Sequence, residues 1–129
     1  MNQFAKARAA YNEAGVLTAS PERLVVMLYD GAIRFLYSAS AAARESKREL
    51  AREKLRRAQA IIDELNRVLD MKQGEVARNL REIYNFSSRH LIDSTLNGNA
   101  AGYEEVARIL AELREAWNET IAAAEAIPA

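Results

Sequence analysis

The chain holds one histidine, His90, and no cysteine. Those two facts remove most reaction chemistry. Disulfides, thiol nucleophiles and thiolate metal sites all require cysteine. A ferritin-like metal site in a helical bundle requires Glu-x-x-His pairs, yet the residue three positions before His90 is Ser87. No glycine-rich run is present to cradle phosphates. A serine nucleophile would need His90 as its base and an acid to orient it, and a bundle helix has no sharp elbow to expose that serine. One signalling chemistry persists: phosphotransfer through a histidine carried on a four-helix bundle. Here His90 is followed by Leu91-Ile92-Asp93-Ser94, without the downstream lysine and glycine usual in such domains. A polar surface histidine beside Arg89 and Asp93 is the simpler reading. The residues thus predict a protein that is not an enzyme and needs no metal or cofactor, with its chemistry in binding.

Composition sets the frame for that binding. The chain has 129 residues, half of them hydrophobic, and only two prolines and five glycines. This favours one compact helical domain over residues 1–129. Lys plus Arg and Asp plus Glu each number 18, so no net charge draws the chain to nucleic acid or to an anionic membrane. The opening Met-Asn-Gln-Phe-Ala-Lys lacks the apolar core of a secretory signal. No uncharged apolar run approaches the roughly 18 residues needed to span a bilayer. A cytoplasmic location without membrane insertion is expected.

The elements that must position a binding surface follow from capping and spacing. Ser20-Pro21-Glu22 is a helix entry, with a capping hydroxyl, a proline suited to the first turn and an acid at the positive end. The next residues, Leu24 to Tyr29, are consecutive apolar groups, so this helix, expected over 21–43, must be covered all round. Asp30-Gly31 lies inside it, and a mid-helix glycine often marks close packing or a passing backbone. Ser46-Lys47-Arg48-Glu49 matches a capping box for a second helix over 47–69. Its seam is Ala51, Leu55, Ala58, Ile62, Leu65 and Leu69, widened by Ile61 and Val68. Its first half mixes Lys47, Arg48, Arg52, Lys54, Arg56 and Arg57 with Glu45, Glu49 and Glu53, a pattern better explained by i,i+4 support than by nucleic-acid binding. Residues 70–74 read as a turn. A third helix over 75–97 carries Val76, Leu80, Ile83, Tyr84, Ser87, Leu91 and Ile92 on its inner stripe and stops at Asn97-Gly98. A fourth over 100–125 presents Tyr103, Val106, Leu110, Leu113, Trp117 and Ile121. The predicted fold is all-α, an antiparallel up-down four-helix bundle over residues 20–127, with residues 1–19 as an N-terminal lid over surplus apolar surface. A homodimer face or a well-filled core would show the same periodicity as a groove for a partner helix.

Several stretches together resemble a known family. Tyr11, Val16-Leu17-Thr18-Ala19-Ser20-Pro21-Glu22-Arg23-Leu24 and Met27-Leu28-Tyr29-Asp30-Gly31-Ala32-Ile33 look like the bacterial flagellar secretion chaperone FliS family. So do Ala58-Gln59-Ala60-Ile61-Ile62-Asp63-Glu64-Leu65, Gly74-Glu75-Val76-Ala77-Arg78-Asn79-Leu80 and Leu113-Arg114-Glu115-Ala116-Trp117. They occur in the family's order across nearly the whole chain. Gln73 departs from the second glycine common in the family before Glu75. The resemblance implies an export chaperone that holds the disordered C-terminal region of flagellin, prevents premature polymerisation and aids delivery to the flagellar type III export apparatus. It implies an export-gate contact for the N-terminal segment, with Tyr11 at the matching tyrosine, and leaves room for a flagellin regulator or co-chaperone as a further partner. Met27, Ile61, Leu65, Val68, Leu80 and Tyr84 are the candidate groove residues. A phosphotransfer bundle and a structural helical dimer stand as alternatives.

Overall fold

A computed structural model describes residues 20–126. Four helices follow in order: α1 (Pro21–Arg44), α2 (Arg48–Arg67), α3 (Glu75–Leu96) and α4 (Ala101–Ala126), with a 3-10 turn, Met71–Gln73, before α3. Each boundary falls within two residues of the sequence expectation. Among the described residues there is no strand, and the chain folds as an all-α four-helix bundle. The lid segment and Tyr11 lie outside the described residues.

α1 is the central helix. Ser20 caps it through its hydroxyl, which accepts from Arg23 N at 3.2 Å. It packs along α2 on one side and α4 on the other. Leu24, Leu28, Ala32 and Leu36, spaced every four residues, are fully buried, as are Tyr29 and Ala39. In the run from Leu24 to Tyr29 every residue but Met27 is buried, so the all-round apolar character is covered except on the Met27 side. By length and hydropathy alone α1 would suit a membrane span, but it serves here as the core helix of the bundle. Burying each such large side chain stabilises the fold by about 1.5–3 kcal/mol. At the polar margin Arg114 reaches Asp30 at 2.9 Å, and the Glu104 carboxylate accepts from Ser40 and from Arg44, at 2.7 Å. Those two donors, Ser40 first, hold the Glu104 carboxyl below its ordinary value.

Ser46 does not cap α2. It takes a left-handed conformation, φ 59°, and closes α1 instead. Its N–H donates to Ala43 O at 3.1 Å, and Lys47 N–H donates to Ala42 O at 2.9 Å. This paired closure is the Schellman arrangement, so Lys47 stands at the α2 cap position with no side-chain capping bond. The same arrangement ends α3, where Gly98 has φ 63°, Gly98 N–H meets Thr95 O at 3.2 Å and Asn99 N–H meets Ser94 O at 2.8 Å. One reversal uses serine and the other glycine for the same strained position.

The inner stripe of α3 is narrower than its spacing suggests. Tyr84, Ser87 and Leu91 are buried, whereas Val76 and Ile92 are 65% and 57% exposed. α3 lies across the bundle from α1, and its outer turns overhang the seam with α2. Gln59–Ser88 at 2.7 Å and Asn66–Asn85 at 2.9 Å bridge that seam. On the other side Gly102 lets α4 approach α3 closely, since a Cβ there would sit 2.5 Å from Ser94 Cβ.

Candidate functional site

Among the described residues, a cavity opens at the end of the bundle where α1 begins and α2 finishes. α2 terminates at Arg67, and Val68, Leu69 and Asp70 lead into the 3-10 turn, whose entry Asp70 caps by accepting from Lys72 N at 3.0 Å. Gly74, at φ 69° and ψ −129°, then turns the chain into α3. A cavity of about 380 Å³ lies here, lined by Val25, Leu65, Val68, Leu69, Val76, Ala77, Leu80, Tyr84 and Trp117. Among the described residues no charged side chain lines it.

Four of the six candidate groove residues therefore meet in one wall: Leu65, Val68, Leu80 and Tyr84. Ile61 is 1% exposed and sits in the core behind that wall. Met27 is half-buried and packs against the core cluster away from the lining. Val76 and Trp117 complete the cavity. Val76 was placed by its spacing on the inner stripe, and only its exposure reveals it as rim. Trp117 sits on a stripe of α4 whose members differ in burial.

The cavity floor is polar at one hidden point. The hydroxyls of Tyr29 and Tyr84 hydrogen-bond to each other across the bundle diagonal. Burial pushes both phenols above their ordinary 10.0. Tyr84 thus turns its ring to the cavity and its hydroxyl inward. The apolar surface of the cavity is backed by a buried polar pair, an arrangement suited to apolar side chains.

His90 has a partner other than Asp93. Its Nε2 lies 2.8 Å from Glu105 Oε2 on α4, and its ring stacks on Phe86 with centroids 5.4 Å apart. The imidazole is thereby built into the α3–α4 contact. Among the described residues no group of three or more His, Cys, Asp or Glu side chains could hold a metal ion.

A chain-wide comparison bears on what such a cavity serves. The family model described as flagellar protein FliS matches residues 3–125. The chain belongs to the FliS family. It is 38% identical over 109 residues to the flagellar secretion chaperone FliS of Salmonella typhimurium, covering 83% of this chain and 81% of that protein. It is 31% identical over 112 residues to the protein of the same name from Bacillus subtilis, covering 87% and 84%. A Campylobacter jejuni relative, also named flagellar secretion chaperone FliS, is 35% identical over 127 residues, covering 94% and 98%. The FliS match spans all four helices, the turn at Gly74 and every residue of the cavity.

Proposed function

We propose that this chain holds the C-terminal region of flagellin before export, and that the cavity between α2, α3 and α4 seats apolar side chains of that segment. As a FliS family member it has a flagellar export chaperone role. The observation that carries the finer reading is the uncharged cavity at one end of the bundle. A disordered segment loses entropy when it orders on a surface and must regain that free energy by burying its apolar face. Two or three large side chains entering the cavity would contribute about 1.5–3 kcal/mol each before that cost. Held this way, the segment is kept from polymerising with other flagellin copies, and the complex is delivered to the export gate from the cytoplasm. Residues 1–19 compete for the same surface, and Tyr11 contributes to the gate contact.

Val76→Asp is the direct test. Val76 is 65% exposed yet lines the cavity, so a charge there alters the site without entering the core. Calorimetry with full-length flagellin and with flagellin lacking its C-terminal segment should show binding only to the former. Val76→Asp should weaken that binding at least about tenfold, the loss of one buried apolar contact, with helicity unchanged. Full affinity in a folded Val76→Asp variant would overturn the reading of the cavity. Deletion of residues 1–14 should leave affinity equal or higher, and clearly weaker binding would make that segment part of the grip.

A further inference from the structure

A second apolar recess differs from the first in one respect: its rim is charged. The outer seam of α2 and α3 encloses about 450 Å³ over Leu55, Leu91, Ile92 and Leu96, with Arg52 and Arg56 along its α2 edge. Leu96 is 79% and Ile92 57% exposed. The floor continues past Leu55 and Leu96 into an adjoining hollow that Arg48 lines. Arg48, Arg52 and Arg56 recur every four residues, so they form one row along the seam. The interleaved glutamates do not neutralise this row. In the same stretch Arg57 pairs with Glu53 at 3.2 Å and Lys47 lies 3.4 Å from Glu45, but Arg48, Arg52 and Arg56 have no ion-pair partner among the described residues.

We propose that this seam docks an amphipathic helix with an acidic flank, from a protein partner other than the segment seated in the first cavity. Three arginines at helical spacing beside an apolar floor complement carboxylates spaced i, i+4 beside an apolar stripe. Asp63 sets the orientation. It lies at the far end of the recess, already accepting from Gln59 at 2.9 Å, and repels acid there. The acidic part of the partner therefore lies towards Arg48. A uniformly charged polyanion fits poorly, and among the described residues no aromatic side chain lines the seam to stack a base. This inference is independent of flagellin binding and survives the failure of that reading.

The probe is a labelled synthetic helix with leucines at i, i+3, i+4 and i+7 and glutamates along one flank, alongside a twin with lysines in their place. Fluorescence anisotropy on the full chain should show the acidic helix binding at least about tenfold more tightly, as three exposed ion pairs would give. The preference should shrink with added salt. The double variant Arg52→Glu, Arg56→Glu should remove it, and Leu96→Ser should weaken both peptides, whereas Val76→Asp should change neither. Equal binding of the two peptides, or an unchanged preference in the double variant, overturns the proposal. So does displacement by flagellin's C-terminal segment, by an oligonucleotide at lower concentration, or by self-association of the chain.

Discussion

Replacing Tyr29 by phenylalanine removes one oxygen from the middle of the bundle and leaves the Tyr84 hydroxyl without its partner. Tyr29 is fully buried and Tyr84 is 2% exposed, so water cannot replace the lost partner at either hydroxyl. The Tyr29 and Tyr84 hydroxyls are each other's hydrogen-bond partner. An orphaned buried polar group costs about 1–3 kcal/mol. Tyr29→Phe and Tyr84→Phe should therefore each destabilise by about 2 kcal/mol, since each leaves one buried hydroxyl without its partner. Once Tyr29 has lost its hydroxyl, removing that of Tyr84 relieves an orphan. The double variant should then cost about 2 kcal/mol, not the sum of about 4, a coupling near 2 kcal/mol. Urea unfolding followed by circular dichroism, with equal slopes for all four proteins, measures each value. At this chain length Tyr29→Phe should lower Tm by about 6–10 °C. Strict additivity, or single variants within about 0.3 kcal/mol of the parent, would refute the account of the pair.

The same tyrosines give the bundle an alkaline limit. The unfolded chain ionises them from about pH 10 while the folded chain holds them neutral, so the unfolded state binds fewer protons there. Stability should fall as pH rises above about 10, by about 1.4 kcal/mol per pH unit for each tyrosine, and the double phenylalanine variant should lose that part of the slope. Ser46→Gly should raise stability by about 0.5–1 kcal/mol in urea melts, since glycine takes the left-handed position without a Cβ penalty. Gly98→Ser should lower it by a similar amount. Gly102→Ala should cost about 1–3 kcal/mol because the new methyl meets Ser94 Cβ, and adding Ser94→Gly should restore most of it in the same melts.

The helices were legible because their ends are written locally. Ser20-Pro21 and Asn97-Gly98 each satisfy backbone groups within a few residues, so short-range pattern suffices. Ser46 misled for the same reason: its neighbours match a capping box for the following helix, but its conformation serves the preceding one. Periodicity found the buried Tyr84 and Leu91 and mistook the overhanging Val76 and Ile92 for core. A stripe gives the direction of a side chain on its own helix and not how far the next helix stands away. The Tyr29–Tyr84 bond, the fit of Gly102 against Ser94 and the Arg114–Asp30 pair join residues far apart along the chain or on separate helices, and nothing local encodes them. The groove candidates Leu65, Val68, Leu80 and Tyr84 were readable as apolar. That they surround one cavity depends on how residues from all four helices meet there, which no local pattern records.

Trp117 is the chain's one tryptophan, and it stands in the wall of the first cavity. The protein therefore carries its own optical reporter at that place and at no other. Side chains that enter the cavity displace water from the indole, which should move its emission to shorter wavelength without any attached dye. A helix settling on the arginine-edged seam leaves that emission unchanged, because no tryptophan lines it. Unlabelled protein in a cuvette can thus tell which of its two recesses is filled, and in what order two ligands arrive.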